Sequence, residues 1–477
     1  MTEQQYNEQI EYIFNRFPSF QRVGAGAYKP GIEGMEALAE ATGNPHKKFS
    51  SIHIAGTNGK GSTSHMLAAA LCRMQKSLLS KSSSHTNAAS ENLKVGLYTS
   101  PHLVDFRERI KISSPDGFKM ISKEYVYNFI NLYKEVFERE RASFFEITTA
   151  MAFAWFAHNG VDIAVIECGL GGRLDSTNII LPQLSVITNI GLDHCDFLGN
   201  TLESVASEKA GIIKRDVPVV IGEESGVGGL FRQRAVECGA PILFAEEYIS
   251  KYLIPDGLDV DKLDLKGLCQ DKNIKTVVAA LEILIGNGLE GQYAGGEYTL
   301  GAVVEGIHNA ASITGLRGRW ERLCSKPFVV CDTGHNSHGF KLLGSQIKDC
   351  LRGGPNCKKS LNQNMCSGTF KRLFMIFGVV ADKDLDSIAE YLPNICINGM
   401  GEEVKAHYLF VNAKGTRALP AKVLQEKMRA MGFEGEVLAN GGVEEALSIY
   451  MDGIKQDDDM VFIGGSTFVV AEAIPLF

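Results

Sequence analysis

Short apolar runs of strand length recur along the chain, with segments of helical length between them. Continuous Val and Ile runs of this kind indicate strands that are buried on both faces. The runs cover residues 51–56, 161–169, 184–191, 217–222, 328–334, 373–380 and 460–465. Helical periodicity marks residues 143–158, 201–213, 273–285 and 382–392. The pattern predicts an α/β fold with mostly parallel sheets and helical crossovers, whose ligands gather at the carboxyl ends of the strands.

The length of 477 residues excludes a single small module and, at about 150 residues per domain, predicts roughly two to four domains. A boundary is expected near residues 314–318, because a helical and polar stretch ends there and a fresh strand begins around Phe328. We therefore predict one domain over residues 1–316 and a second α/β domain over residues 317–477. The polar stretches 81–94 and 353–369 are expected to be exposed insertions.

Charge and cysteine usage restrict the function further. The 48 Lys and Arg against 56 Asp and Glu give a net charge of −8, which excludes functions that need a basic surface over the whole chain. The 11 cysteines form no CxxC pair, which argues against a disulfide framework or a structural zinc site and suits a reducing cytosol. No basic leader and no membrane-length apolar run is recognised. We expect a cytoplasmic protein, a monomer, with neither nucleic-acid nor membrane partners.

A glycine-rich loop follows the first apolar run directly. The loop reads GTNGKGST over residues 56–63 and leads into a helical segment. Its glycines allow backbone N–H groups to approach phosphate oxygens, Lys60 supplies a point charge, and Ser62 or Thr63 would face a metal ion or phosphates. The spacing departs from the ordinary Walker pattern, and a glycine turn with an incidental lysine is the alternative. The loop predicts a nucleoside triphosphate site but not a reaction, since GTPases, kinases and ligases share such loops.

Three polar residues stand at or just beyond the ends of apolar runs: Ser100, Glu167 and His194. In a doubly wound sheet these ends face the phosphate loop, so the three side chains could hold Mg²⁺ against a triphosphate. Taken singly, Glu167 could instead be a capped strand end and His194 a packed or surface histidine.

The glycine turn after Glu167 suggests that Arg173, Asp175 and Asn178 reach a substrate. By spacing alone, Lys209 is an exposed lysine paired with a neighbouring acid.

In the second domain, Arg317 and Arg319 stand at the predicted junction, and Asp332 follows an apolar run. An arginine over the triphosphate would stabilise a transferring phosphoryl group, and the aspartate could accept hydrogen bonds from a ribose. A linker arginine and a turn aspartate are the equally weighted alternatives.

Together these segments resemble a known family. The blocks GTNGKGST, YTSPHL with FRERI, FFEITTAMAF, ECGLGGRLDSTN, NIGLDHCDFLGNTLESVASEKAGI, GRWE and DTGHN are similar to folylpolyglutamate synthase and dihydrofolate synthase of the Mur ligase superfamily. They extend over residues 51–336, with weaker similarity in FGVVADKD and GGSTFVV. The resemblance implies an ATP-dependent amide ligase. Its N-terminal P-loop ATPase-type domain, residues 1–316, would have a mostly parallel sheet flanked by helices, and a smaller Rossmann-like C-terminal domain, residues 317–477, would complete the glutamate ligase.

The resemblance also implies the roles of individual residues. The phosphates of ATP would be bound by Asn58, Gly59, Lys60, Gly61, Ser62 and Thr63. Mg²⁺ would be bound by Ser100, Glu167 and His194, and Lys209 matches a lysine that family members carbamylate to support a second Mg²⁺. The remaining nucleotide contacts would be Gln270 and Asn273 on the adenine side and Arg319, Asp332 and His335 in the C-terminal domain. Phe145 and Asp175 would contact the pterin, and a monovalent cation would complete the cofactors. The catalytic set would be Lys60, His194, Lys209 and Arg319.

The resemblance implies a mechanism in which a pteroyl or folyl carboxylate attacks the γ-phosphate of ATP. The resulting acyl phosphate then reacts with the amine of L-glutamate, giving an amide, ADP and phosphate. The acceptor could be dihydropteroate, a reduced folate or both. Two alternatives stay open at this stage: a Mur ligase that acts on a UDP-linked muramyl acid, and an ATPase switch that ligates nothing.

Overall fold

The computed structural model describes residues 1–19, 22, 24–27, 29, 31–74, 92–248, 258–289, 297–354 and 370–477. Most of the two insertions predicted at 81–94 and 353–369 therefore lies outside the described residues. The described chain divides into two compact units. The first is built from most of residues 1–316, and the second from Arg317–Phe477 together with Leu265–Cys269.

The first unit is an eight-stranded sheet with helices packed on it. Its strands lie in the order β4-β3-β2-β5-β1-β6-β7-β8. They are β1 (Ser50–Ala55), β2 (Val95–Tyr98), β3 (Ile110–Ser114), β4 (Gly117–Met120), β5 (Ile163–Glu167), β6 (Leu184–Ile187), β7 (Val219–Ile221) and β8 (Ile242–Phe244). The six strands from β2 to β8 across the sheet are parallel, and the β3–β4 hairpin is an antiparallel edge.

The helices of the first unit follow the strands as crossovers or cover the sheet. They are α1 (Glu3–Arg16), α2 (Glu33–Ala41), α3 (Lys60–Leu71), α4 (Lys123–Arg139), α5 (Phe144–His158), α6 (Cys195–Leu198), α7 (Leu202–Ala210), α8 (Gly228–Cys238), α9 (Gln270–Leu289), α10 (Glu297–His308) and α11 (Ala310–Thr314). Helix α3 is buried on nearly every side, which explains its run of small and apolar residues, since such a helix shows no polar face.

The second unit contains a smaller sheet in the order β12-β13-β11-β15-β10-β9, with β14 paired to β13. Its strands are β9 (Glu321–Cys324), β10 (Phe328–Asp332), β11 (Arg372–Phe377), β12 (Ile395–Ile397), β13 (Glu403–Phe410), β14 (Gly435–Glu436) and β15 (Asp459–Gly464). Its helices are α12 (Ser337–Leu351), α13 (Leu385–Ala389), α14 (Ala421–Ala430), α15 (Val443–Ile449) and α16 (Thr467–Ala473). Its core includes Phe340, Phe377, Tyr408 and Phe462.

The predicted α/β class is confirmed, and each predicted apolar run overlaps a strand. The helix predicted at 382–392 is shorter, since only Leu385–Ala389 is α-helical. The predicted runs leave out eight of the described strands. The hairpin β3–β4 and the strand β13 carry polar residues on their exposed faces, which interrupt the apolar pattern. The other five, β2, β8, β9, β12 and β14, are only two to four residues long. Among the described residues, no helix combines the length and apolar character needed to cross a membrane.

Candidate active site

The carboxyl ends of three neighbouring strands meet where the glycine loop begins. Strand β1 lies between β5 and β6, with Ile54 in register with Glu167 and Ala55 in register with Ile187. The chain leaves β1 toward β2 on one side, whereas β6 leads to β7 and β8 on the other. Ligands of open α/β sheets bind at such a reversal of strand order. The glycine loop therefore occupies the position that favours ligand binding.

The loop after β1 requires glycine at two positions for reasons of space and backbone conformation. Gly56 and Gly59 have φ angles of 152° and 81°. A Cβ at Gly56 would overlap the Thr188 hydroxyl, and a Cβ at Gly59 would overlap the Asn273 side-chain oxygen. Gly59 is also the residue before α3, so the loop presents the positive end of that helix, which suits phosphate binding.

The segment after β6 holds the glycine loop in shape. The Thr57 hydroxyl donates to the carbonyl of Gly191 at 2.9 Å, and the Asn58 N–H donates to the side-chain oxygen of Asn189 at 2.9 Å. The Thr188 hydroxyl donates to the Asn58 carbonyl at 2.6 Å. These bonds restrict the loop before any ligand binds, which lowers the entropy cost of binding.

Two lysines converge on one carbonyl oxygen at the start of the loop. Lys60 Nζ donates to Gly56 O at 3.0 Å and to Thr57 O at 3.2 Å, and Lys209 Nζ donates to the same Gly56 O at 2.9 Å. Lys209 is 3% exposed, and burial together with the charge of Lys60 lowers its pKa to about 7. The interpretation of Lys209 as an exposed lysine paired with an acid is therefore wrong. Its neighbour Glu208 instead pairs with Arg173.

The predicted metal ligands are partly brought together. Glu167 is 3% exposed, and one of its carboxylate oxygens accepts the Ser100 N–H at 3.0 Å. His194 has a φ of 54° and precedes the short helix α6, with a quarter of its side chain exposed. No group of three or more His, Cys, Asp and Glu side chains is arranged for a metal within the described parts of the chain.

The donor set nevertheless fits the predicted ion. Oxygen ligands from one or two side chains, completed by water and phosphate oxygens, are what Mg²⁺ prefers in nucleotide sites. The carboxylate of Glu167 and the hydroxyl of Ser100 provide such oxygens.

Gln270 and Asn273 lie together at the start of α9. Both are buried, and the Asn273 amide donates to the Gln270 side-chain oxygen at 2.9 Å. Asn273 also packs directly against Gly59. The pair predicted on the adenine side is thus adjacent to the glycine loop, and its contact with adenine stays a prediction.

The loop after β5 is held by its own side chains. Asp175 is buried, and it accepts hydrogen bonds from the N–H groups of Leu170 at 2.8 Å and Thr177 at 2.9 Å. Asn178 donates to the carbonyls of Arg173 and Gly211. These contacts stabilise the loop, and a substrate contact of Arg173, Asp175 or Asn178 stays a prediction. Phe145 lies over Gly169 at the start of this loop, where a Cβ would overlap the aromatic ring.

A buried polar group that was not predicted from the sequence lies beneath the site. His53 of β1 is fully buried, with Nε2 2.8 Å from the Thr177 hydroxyl and 3.0 Å from Cys168 Sγ. Burial lowers the pKa of His53 to about 3. The Thr177 hydroxyl in turn donates to Asp175 at 2.5 Å. The only sequence signal was a histidine within an otherwise apolar strand.

In the second unit, Arg319, Asp332 and His335 cluster at the carboxyl end of β10. Asp332 accepts the N–H groups of Trp320 and Gly334, each at 2.7 Å, and burial raises its pKa. Arg319 donates to the Thr333 hydroxyl and to the Gly318 carbonyl. His335 Nδ1 donates to the Thr333 carbonyl at 2.9 Å. Their contact with ATP stays a prediction.

Comparison with known proteins finds relatives that have similar names. The Mur ligase middle domain family matches residues 118–226. The dihydrofolate synthase/folylpolyglutamate synthase of Bacillus subtilis is 33% identical over 341 residues, covering 67% of this chain and 72% of the relative. The Mycobacterium tuberculosis protein of the same name is 31% identical, covering 80% and 74%. The chain spans only about half of some longer relatives, such as the probable bifunctional folylpolyglutamate synthase/dihydropteroate synthase of Haloferax volcanii, at 27% identity over 98% of this chain and 50% of that one.

Two solved structures have a fold similar to that of this chain. The E. coli FolC protein in complex with DHPP and ADP aligns with a TM-score of 0.70 at 25% identity, covering 99% of this chain and 97% of that one. Mycobacterium tuberculosis folylpolyglutamate synthase complexed with ADP aligns with a TM-score of 0.72 at 25% identity, covering 100% and 99%.

Proposed function

The chain belongs to the dihydrofolate synthase/folylpolyglutamate synthase family, and we propose on that basis that it is an ATP-dependent carbon–nitrogen ligase. It adds L-glutamate to dihydropteroate, to the γ-carboxylate of reduced folates, or to both. We assign the ATP-binding domain of this family to residues 1–316 and its glutamate ligase domain to residues 317–477. The observation that carries the proposal is the convergence of Lys60 and Lys209 on Gly56 O, with the buried Glu167 at the end of the adjacent strand β5.

The reaction proceeds in two steps. A carboxylate oxygen of the acceptor attacks the γ-phosphorus of ATP, and the bond to the β-phosphate oxygen breaks, leaving ADP and an acyl phosphate. The glutamate amine then attacks the acyl carbon and loses a proton, and phosphate leaves as the amide forms. Activation is needed because an oxide ion is a very poor leaving group, whereas phosphate is a good one.

This chain's own residues serve the first step. The N–H groups at the start of α3 and the Lys60 ammonium bind the phosphates, and Arg319 stabilises the charge that builds on the transferred phosphoryl group. Ser100, Glu167 and His194 would hold a divalent cation, which when bound neutralises charge on the phosphate oxygens. Relatives were solved with ADP, and one with Mn, AMPPNP and L-glutamate, which supports nucleotide and divalent-metal use here.

Lys209 differs from an ordinary lysine in being buried beside another cation. A pKa of about 7 leaves much of its amine uncharged at neutral pH, and an uncharged amine is the form that reacts with CO₂. We therefore propose that Lys209 carries a carbamate and that this carbamate supports a second Mg²⁺. The monovalent cation and the monomeric state remain part of the proposal.

The decisive experiment is mass-resolved incorporation of L-glutamate in the presence of ATP and Mg²⁺, with dihydropteroate and tetrahydrofolate offered separately. Glutamate addition to both acceptors is expected for a bifunctional enzyme, and addition to tetrahydrofolate alone for a polyglutamylase. Lys60→Ala should abolish turnover, and the exposed Lys47→Ala should not. ATP hydrolysis by the wild-type protein that needs neither an acceptor nor glutamate would instead support an ATPase switch.

A further inference from the structure

The first unit ends in a short helix whose carbonyl groups need partners. Helix α11 (Ala310–Thr314) is followed by Gly315, which has a φ of 67°, and by Leu316. The N–H groups of Gly315 and Leu316 both donate to the Ala311 carbonyl, at 2.7 and 3.2 Å. The next residue, Arg317, is the first of the second unit's main segment. We call Thr314–Leu316 the exit segment.

A buried lysine binds the exit segment from the sheet edge. Lys111 of β3 is 4% exposed, and its Nζ donates to the carbonyls of Thr314 at 2.8 Å and Gly315 at 3.2 Å. Gly117 of the same hairpin packs against the carbonyl of Ile313, where a Cβ would lie 2.7 Å from the oxygen. A buried ammonium group is costly unless it is hydrogen-bonded. The lysine therefore requires the exit segment to keep this conformation.

A histidine of the phosphate-binding helix reaches the same segment. The Thr314 hydroxyl donates to the Ala310 carbonyl at 2.5 Å, so its oxygen accepts the hydrogen bond from His65 Nδ1 at 2.7 Å. His65 is 3% exposed and lies on α3, which begins at Lys60. The Thr314 side chain thus connects the helix behind the glycine loop with the exit segment, while Lys111 binds the segment's carbonyls.

We propose that His65, Thr314 and Lys111 are positioning residues that hold the exit segment in a defined place relative to the phosphate-binding helix. They thereby set the starting point of the segment that carries Arg319. This inference rests on the proposed function, because it assigns Arg319 its action on the transferred phosphoryl group. None of the three residues touches a substrate in this proposal. Their effect is on the rate of phosphoryl transfer through Arg319, not on nucleotide binding by the glycine loop.

Hydrogen–deuterium exchange of the exit segment tests the anchoring independently of catalysis. Thr314→Val removes the hydroxyl at nearly constant volume, Thr314→Ser keeps it, and Lys111→Met removes the ammonium group. Exchange of the Gly315 and Leu316 N–H groups should be at least tenfold faster in T314V and K111M. It should stay within twofold of wild type in T314S and in K119M, the matched control on the exposed face of β4. Unchanged exchange in T314V and K111M would overturn the anchoring.

The consequence for the reaction is tested in the glutamate-incorporation assay with the same variants. In T314V and K111M, kcat should fall at least tenfold, whereas the Kd for ADP should change by less than threefold. T314S should keep kcat within twofold of wild type. Faster exchange with unchanged kcat, or a loss of kcat matched by an equal loss of ADP affinity, would overturn the positioning role. Failure of the proposed function is distinguishable, because it would be seen as absent glutamate incorporation by the wild-type protein itself.

Discussion

At the scale of single residues, the surroundings of Lys209 change the chemistry of its amine. It lies on α7, a helix with acidic and polar neighbours, yet its side chain is buried and its Nζ binds the first carbonyl of the glycine loop. Burial disfavours the protonated form and lowers the pKa of Lys209, and the second cation at the same oxygen adds to this effect. The side chain is therefore suited to reactions that an ordinary surface lysine would not undergo at neutral pH.

We expect Lys209 to carry a carbamate in the presence of CO₂. The amine adds to CO₂ with loss of a proton, so occupancy should rise as the pH increases through about 7, where Lys209 loses its charge. The measurement is ¹³C NMR of protein equilibrated with ¹³C-bicarbonate between pH 6 and pH 8. Lys209→Arg should lose the signal and about 10²- to 10³-fold of kcat, whereas the exposed Lys272→Arg should keep both. A signal that persists in K209R would contradict the assignment.

At the scale of elements, neighbouring segments hold the glycine loop in place between β1 and α3. The loop is bound by the segment after β6, and α9 packs so closely on it that Asn273 leaves no room for a side chain at Gly59. Beneath the loop, the buried His53 connects β1 with the turn that follows β5. The packing of Asn273 on Gly59 affects ATP binding, and the burial of His53 affects stability.

Gly59→Ala should weaken ATP binding through the collision with Asn273 as well as through backbone strain. Gly43 is the matched control, because its φ of 80° is nearly that of Gly59, at 81°, but a Cβ there meets nothing within 4 Å. We expect G59A to raise the KM for ATP by at least tenfold and G43A to change it little, although both lose roughly 1 kcal/mol of stability. Because Asn273 is itself a predicted nucleotide contact, the collision is tested in the N273A background. G59A should raise the KM for ATP less in N273A than in the wild type, since the colliding side chain is absent there. An equal rise in both backgrounds would argue against the collision.

The buried His53 should make the protein less stable as the pH falls. Its pKa is lowered from about 6.5 in the unfolded chain to about 3 in the fold. Between these values the unfolded chain binds a proton that the folded chain does not, so stability is lost as pH decreases from about 6.5 toward 3. From pH 6.5 to pH 5 the wild type should lose about 2 kcal/mol more than His53→Gln.

The measurement is urea unfolding at several pH values, with the exposed His158→Gln as control. Equal pH dependence in H53Q and the wild type would show that His53 does not cause the loss.

At the scale of the whole molecule, each compact unit contains one of the chain's two tryptophans. Trp155 lies in the first unit and Trp320 in the second. Replacing one by phenylalanine leaves tryptophan fluorescence, excited selectively at long wavelength, from the other unit alone. Unfolding of the two units can therefore be followed separately in the 477-residue protein.

ADP with Mg²⁺ should raise the unfolding temperature reported by Trp155 in the W320F variant. Ligand at 100 times its Kd contributes about 2.7 kcal/mol, which for a unit of this size corresponds to a shift on the order of 5 °C. Lys60→Ala in the same background should lose most of the shift, because its ammonium group contributes to phosphate binding. An equal shift in the K60A protein would contradict the assignment of the glycine loop as the nucleotide site.

Much of the fold and the centre of the site could be predicted from the sequence. Runs rich in Val and Ile predicted the buried strands β1, β5, β6, β7, β10, β11 and β15, because a strand that is buried on both faces needs mostly apolar residues. The segment 56–63 predicts a phosphate loop, since its glycines, lysine and following helix are adjacent in the chain. Glu167 could be placed near this loop because both follow parallel strands.

Only the tertiary structure decided which residues surround that loop. Lys209 contacts Gly56 from 153 positions away, His65 contacts Thr314 from 249, and Lys111 binds Thr314 from 203. Nothing in the local sequence distinguishes these side chains from exposed ones. Whether a lysine or histidine is buried depends on which distant elements pack over it, and that packing also sets its pKa and its role.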